Sequence, residues 1–277
     1  MNKSNFTTQT SGNGVIFFIG PRKTGTTSIY EVIRHGGLPF PAHIKETFFF
    51  EQVHVRIEEY TERYKIDSAK PFGEISPSYF SNEIALSNLQ TLFPLAKIVI
   101  TLRDPVSRAI SAVQHAQRLG MLPTQIDLAA AGDNKHIHNI ILGSSYHVYA
   151  PRWAAAFPGR VIQLKQDPDG KYSTASLHRL GELLELDVDV GAVSNHRANP
   201  ARVARSPSVA KLLAATKRQL RRVGAFETVR TLKFLEPLFF SSNTTKMDIA
   251  PELKDFFRER LKDSSAYYYA SNSVSIL

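Results

Sequence analysis

The stretch Gly20-Pro21-Arg22-Lys23-Thr24-Gly25-Thr26-Thr27 gathers two glycines, two cations and three threonines directly after the apolar run Val15-Ile16-Phe17-Phe18-Ile19. A strand that ends in a glycine-rich turn and enters a helix aims backbone N–H groups and a helix N-terminus at one point, and that geometry binds phosphate. Gly20 and Gly25 have the spacing of the two glycines in a Walker A loop, which continues with Lys and then Ser or Thr. Here Thr26-Thr27 follow, and the lysine, Lys23, lies inside the loop. A further cation, Arg103, ends the apolar run Lys97 to Leu102 and precedes Asp104. The two features together point to an anion site rather than to a carboxylate holding magnesium.

Holding these groups requires a scaffold, and the hydropathy pattern supplies one. Short apolar strand candidates alternate with longer amphipathic segments, the signature of a parallel sheet with crossover helices. Strands are predicted at Val15–Ile19, Phe72–Ile75, Lys97–Leu102 and Arg160–Leu164, and helices at Ser28–His35, Asn82–Leu92, Val106–Leu119 and Thr174–Leu186. Residues 122–142 lack a clear period and contain Gly, Pro and Asp, so they read as a loop-rich insertion over a site. Tyr146, Tyr149 and Trp153 fall at helical spacing and read as core. After Asp187 the alternation stops, leaving helices at Ser208–Val223 and Pro251–Leu261. The expected fold is one α/β, P-loop-like three-layer domain over residues 14–277. It has a central parallel sheet flanked by helices, a helical C-terminal elaboration, and a flexible N-terminus over 1–13.

The 277 residues carry 34 Lys plus Arg against 25 Asp plus Glu, a net charge of +9, with 43% hydrophobic and 21% charged residues. That balance suits an ordinary globular chain able to bury a full core. The absence of cysteine excludes a disulfide scaffold, a thiolate metal site and a cysteine nucleophile. The early apolar run has five residues where a bilayer span needs about 20, and the polar start lacks a secretory pattern. The positive charge needs an anionic partner. Basic residues are dispersed except in Lys217-Arg218-Gln219-Leu220-Arg221-Arg222, which reads as a solvated helix face. His136 and His138 have no carboxylate or third histidine at suggestive spacing, and no metal is assigned.

Three more segments, with the loop, resemble the PAPS-dependent sulfotransferases, specifically the carbohydrate branch that includes the heparan sulfate enzymes. Lys45-Glu46-Thr47-Phe48-Phe49-Phe50-Glu51 is similar to that family's E-x-x-F-F-D/E segment, and Gly73-Glu74-Ile75-Ser76-Pro77-Ser78-Tyr79-Phe80 to its E-K-[ST]-x-x-Y-F segment. The run from Ile98 through Arg103 to Ser111 resembles the strand-loop-helix around the 3′-phosphate. The resemblance spans about Val15 to Lys165 in the family's order. It implies transfer of a sulfuryl group from PAPS to a hydroxyl, or less readily an amine, of a small-molecule or glycan acceptor, releasing PAP and using no metal.

Such a transfer needs an activated acceptor, a sulfuryl group held in line and a stabilised leaving oxygen. By resemblance, Glu46 is the general base. A carboxylate of reference pKa about 4.3 is a modest base, and Phe48, Phe49 and Phe50 are expected to desolvate it and raise that value. Lys23 would sit by the bridging oxygen, where a flexible ammonium follows developing charge. Thr26, Thr27 and the Gly25 backbone would hold the 5′-phosphate, with Arg22, Thr24 and Ser28 beside them. Arg103 and Ser111 would hold the 3′-phosphate through charge-assisted hydrogen bonds. His115, in a Gln-His pair like that of the N-sulfating enzymes, would be an acceptor contact or auxiliary acid/base, and Arg108 reads as an exposed helix charge.

The chain departs from that pattern at two places. Ile75 stands where the family has lysine, so the charge around sulfate or acceptor differs. The cysteine-bridged loop that covers the nucleotide in the heparan enzymes has no counterpart, and Arg197, in Asn195 to Arg205, is the candidate replacement. The missing signal, anchor and cysteines argue for a cytoplasmic, bacterial enzyme with no nucleic-acid partner. Two other readings stay open on the residues alone. A P-loop kinase or triphosphatase would need the lysine missing after Gly25, and a non-catalytic polyanion-binding module would bind in a steeply salt-dependent way.

Overall fold

A computed structural model of the protein describes residues 14–188 other than positions 43 and 68, residues 249–277, and short pieces between 191 and 241. Arg197, the N-terminal 13 residues and the four basic residues of the 217–222 cluster lie outside the described residues. The chain divides into two compact units, one of Met1–Arg103, Tyr146–His196 and Tyr267–Leu277, the other of Asp104–Ser145 and Arg197–Ala266.

In the first unit β1 (Val15–Phe18), β2 (Phe72–Ile75), β3 (Lys97–Leu102) and β4 (Val161–Lys165) form parallel pairs in the order β2-β1-β3-β4. The strands were legible because they are nearly continuous apolar runs, as strands covered on both faces must be. Alternation along each strand divides the side chains. Ile16, Phe18, Ile75, Val99, Ile162 and Leu164 bury against α1 (Thr26–His35) and α7 (Thr174–Leu184) through Ile29, Val32, Leu177 and Leu180. Phe17 points the other way, edge-on to Phe50, Phe72 and Phe93. α2 (Ile57–Tyr64) precedes β2 in the chain and α3 (Glu83–Leu92) lies between β2 and β3, and α3 begins on Asn82, whose side chain accepts from the Ala85 amide at 3.0 Å. In α6 (Tyr146–Ala156) Tyr146 and Trp153 are buried, and the Trp153 indole donates to Phe80 O at 2.9 Å.

The sheet is mixed rather than wholly parallel. A fifth strand, β7 (Val274–Ile276), pairs antiparallel with β4. Three residues are too few to show a period, which is why the sequence does not announce them. Lys165, at the end of β4, sets the approach by donating to Tyr268 O at 2.8 Å and Ser271 O at 3.0 Å.

In the second unit α4 (Pro105–Arg118) starts on Asp104, whose carboxylate accepts from the Ser107 amide at 2.7 Å. The supposed loop at 122–142 is in its latter part the start of α5 (Lys135–Ser144), capped by Asn134. Ala109, Val113, Ile137 and Ile140 form its core with Leu253 and Phe257 of α8 (Pro251–Arg260). The chain then runs through α9 (Lys262–Ala270) towards β7. A two-residue ladder pairs β5 (Val203–Ala204) with β6 (Phe240–Ser241).

Arg108 corrects the sequence reading. It is 4% exposed, because its position falls on the α4 face that carries Ala109 and Val113, and its guanidinium donates to Ile140 O at 2.6 Å and Ser144 Oγ at 2.8 Å. Gly143 makes the space, since a Cβ there would lie 2.8 Å from Arg108 Nη2. Arg108→Leu should therefore destabilise the protein by about 2 kcal/mol or more, the cost of stranding buried acceptors. Denaturant titration of the variant measures it.

Candidate active site

Gly20 is obligatory where the loop leaves β1, because a Cβ there would lie 1.8 Å from Thr101 Oγ1 and 2.4 Å from Thr101 N. Two left-handed residues then shape the turn, Lys23 at φ 76° and Gly25 at φ 78°. A non-glycine residue adopts that conformation only at a cost in backbone energy, so the surrounding loop imposes it on Lys23. Gly25 begins α1 without a side-chain cap, and its carbonyl takes the amides of Ser28 at 3.0 Å and Ile29 at 3.3 Å. The amides of Thr26 and Thr27 precede that first helical bond and face the loop mouth with the positive end of the helix.

The loop is held from behind by hydroxyls. Thr24, named from sequence beside the phosphate, is fully buried instead, its hydroxyl donating to Pro21 O at 2.6 Å and lying 2.6 Å from Thr101 Oγ1. Its carbonyl accepts from the Tyr172 hydroxyl, which burial pushes far above its usual pKa. Arg103 is half-buried at the end of β3, with Nη1 3.5 Å from Lys23 O, and its own carbonyl accepts from Tyr146 OH at 2.9 Å. Tyr172 carries no spacing signal, and the helical spacing of Tyr146 marks it as core without revealing its bond, because both act on backbone carbonyls far away in sequence.

The segment after α1 brings Lys45 and Glu46 to the loop. Lys45 Nζ donates to Thr27 Oγ1 at 3.0 Å, and burial lowers its pKa despite the neighbouring Glu46 and Glu31 charges. Glu46 lies 4.0 Å from Arg22 Nη2, with 28% of its side chain exposed. The expected aromatic shield is only partly there. Phe49 and Phe50 turn into the core against Tyr60 and Phe17, while half-buried Phe48 carries the Arg22 guanidinium 5.5 Å from its ring centroid. Lys45 escaped the sequence reading because only folding sets it against Thr27. Ser28 lies in the first turn of α1, half-buried.

Glu74, on the β2 face opposite Ile75, is fully buried, and its oxygens accept from Thr47 at 2.6 Å, Tyr79 at 2.7 Å, Ser76 at 2.8 Å and Tyr60. Burial raises its pKa, and the hydroxyl bonds oppose the shift without cancelling it. A carboxyl whose folded pKa lies above the unfolded value contributes its full stability below about pH 4.3 and loses it as pH rises through the folded pKa. Thermal midpoints should therefore fall over that window in the wild type and fall less in Glu74→Gln. Ile75, in place of the family lysine, sits in the apolar core beside Phe18 and Leu38.

Ser111 and His115 lie in the second unit, one turn apart on α4, half-buried and exposed respectively. Among the described residues no helix is long and apolar enough to cross a membrane.

A mixed sheet whose first strand ends in a glycine loop entering an uncapped helix, with cations in the loop and a carboxylate beside it, is a P-loop-like arrangement. The family model described as "Sulfotransferase domain" matches residues 14–174, more than half of the chain, and the chain belongs to that family. Bifunctional heparan sulfate N-deacetylase/N-sulfotransferase 4 of Mus musculus is 37% identical over 177 residues, covering 54% of this chain and 20% of that protein. The corresponding enzyme 1 of Caenorhabditis elegans is 30% identical over 157 residues, covering 51% of this chain and 18% of that protein. The chain thus spans a fifth or less of the length of these curated relatives. The crystal structure of a sulfotransferase from Alicyclobacillus acidocaldarius aligns with TM-score 0.51 at 18% identity, covering 93% of this chain and 96% of that one, and shares the fold. The chain accordingly combines membership of the sulfotransferase family with the P-loop-like fold. The family implies PAPS as sulfuryl donor.

Proposed function

We propose that the protein moves the sulfuryl group of PAPS to a hydroxyl, or less readily an amine, of a carbohydrate or small-molecule acceptor. Heparan sulfate enzymes among the relatives favour the carbohydrate. The observation that carries the reading is the gathering of Lys23, Lys45 and Arg22 at an uncapped helix N-terminus with Glu46 4.0 Å from Arg22. Gly25 is required in the loop by its φ of 78° and by the Gln166 side chain, whose Nε2 a Cβ would approach to 2.4 Å. The amides of Thr26 and Thr27 would hold the 5′-phosphate, and Arg103 the 3′-phosphate. Glu46 takes the acceptor's proton, and the Lys23 ammonium offsets charge growing on the leaving oxygen. The Arg22–Glu46 pair is exposed enough to be worth under about 1 kcal/mol, so Glu46 can exchange it for an acceptor at little cost.

Calorimetric titration with PAP, with ATP plus magnesium for comparison, tests the donor site. PAP should bind without metal, and Arg103→Ala should weaken it about 10- to 100-fold, the loss of a charge-assisted hydrogen bond. Adenosine 5′-phosphosulfate, which lacks the 3′-phosphate, should be weakened far less. Equal weakening contradicts the role of Arg103, and binding of ATP with magnesium in place of PAP overturns the donor.

A further inference from the structure

Between the phosphate loop and the core lies a buried carboxylate with no place in the chemistry so far. Four hydroxyls converge on Glu74, and one of them belongs to Thr47, the residue after Glu46. Thr47 Oγ1 also accepts from the Phe49 amide at 3.2 Å, and Tyr79 OH, itself bound to Glu74, accepts from the Phe50 amide at 3.2 Å. Between these anchors Phe48 holds φ 57°, a left-handed conformation that a bulky residue keeps only when its surroundings impose it. That turn lets the chain leave Phe49 and Phe50 in the core while Lys45 reaches Thr27 and Glu46 reaches Arg22. A buried carboxylate and a left-handed phenylalanine are both costly. They belong to one hydrogen-bonded cluster, and that cluster abuts the base.

We propose that Glu74 is a positioning residue for sulfuryl transfer, which fixes the carboxylate of Glu46 against the phosphate loop through Thr47 and the left-handed turn at Phe48. The proposal rests on the reading of Glu46 as the base. A displacement of about 1 Å at a reacting group costs about 100-fold in rate, so loosening this anchor should lower turnover without weakening the donor.

The test compares Thr47→Val and Glu74→Gln, each nearly isosteric, in wild-type and Glu46→Gln backgrounds. Turnover is followed as PAP release from PAPS with de-N-sulfated heparin, which offers both amines and hydroxyls, and PAP affinity by calorimetry. Each single variant should lose about 30-fold in kcat with KM for PAPS and PAP affinity within 3-fold, and Thr47→Ser should restore most of the rate. In the Glu46→Gln background the same changes should cost less than 2-fold. Equal losses in both backgrounds, or unchanged kcat with only a lower Tm, overturn the proposal and leave Glu46 as the base. Wild-type turnover in Glu46→Gln overturns the base assignment and this proposal with it. Amide hydrogen exchange gives a reading that needs no acceptor and decides alone if the heparin is not sulfated. Phe49 and Phe50 should exchange at least tenfold faster in Thr47→Val and in Glu74→Gln, with the α1 amides unchanged. Unaltered exchange at Phe49 and Phe50 contradicts the anchor.

Discussion

Replacing Glu46 by glutamine is expected to lower kcat about 1,000-fold while PAP affinity stays within 2-fold. The amide keeps the shape and cannot accept the acceptor's proton, and general base catalysis contributes about 100- to 10,000-fold. The carboxylate retains partial exposure and its partner Arg22 is more than half exposed, so stability should change by less than about 1 kcal/mol. The limb of the pH–rate profile that reports ionisation of the base should vanish in the variant. Steady-state kinetics and a PAP titration on the same preparation separate these effects. Wild-type turnover would show that another group takes the proton.

Replacing Lys23 by methionine should cost about 100- to 1,000-fold in kcat, the range for removing one donor aimed at developing charge. Methionine keeps a Cβ and a long unbranched stem, so the left-handed backbone at φ 76° is preserved and only the ammonium is lost. PAP has no sulfuryl group to depart, and its affinity should fall less than 10-fold. Single-turnover consumption of PAPS beside calorimetry with PAP checks the split, and an equal loss in both would make Lys23 a binding residue only. Lys23→Arg should not restore the rate, because a planar fork cannot follow the moving charge as a point ammonium does.

The features that sequence exposed are those written in local pattern. β1 is an apolar run that passes into a glycine-bearing polar loop, β3 is a largely apolar run followed by Arg103, and Lys23, Gly25 and Arg103 fall within one unit. What escaped has no local signature. Tyr172 binds the carbonyl of Thr24 and Lys45 binds Thr27 only in the folded chain, and the helical spacing of Tyr146 says nothing of its bond to the Arg103 carbonyl. Arg108 misled for another reason. A helical pattern gives the face on which a residue falls, and a guanidinium on the apolar face is tolerated when a carbonyl and a hydroxyl await it. Phe49 and Phe50 were given to Glu46 by proximity in sequence, whereas their rings fill the space beside Phe17.

The antiparallel pairing of β7 with β4 bears on how the protein is made. The first unit is assembled from three separated stretches, and its sheet gains its last strand only from Val274–Ile276. A ribosome delivers the glycine loop, Glu46 and Arg103 long before it delivers the strand that covers the β4 edge. During that interval the edge offers unpaired backbone groups to any other nascent chain. Slow synthesis between β4 and β7, or truncation before Val274, should therefore reduce the yield of soluble protein more than substitution of Lys23 or Glu46 would.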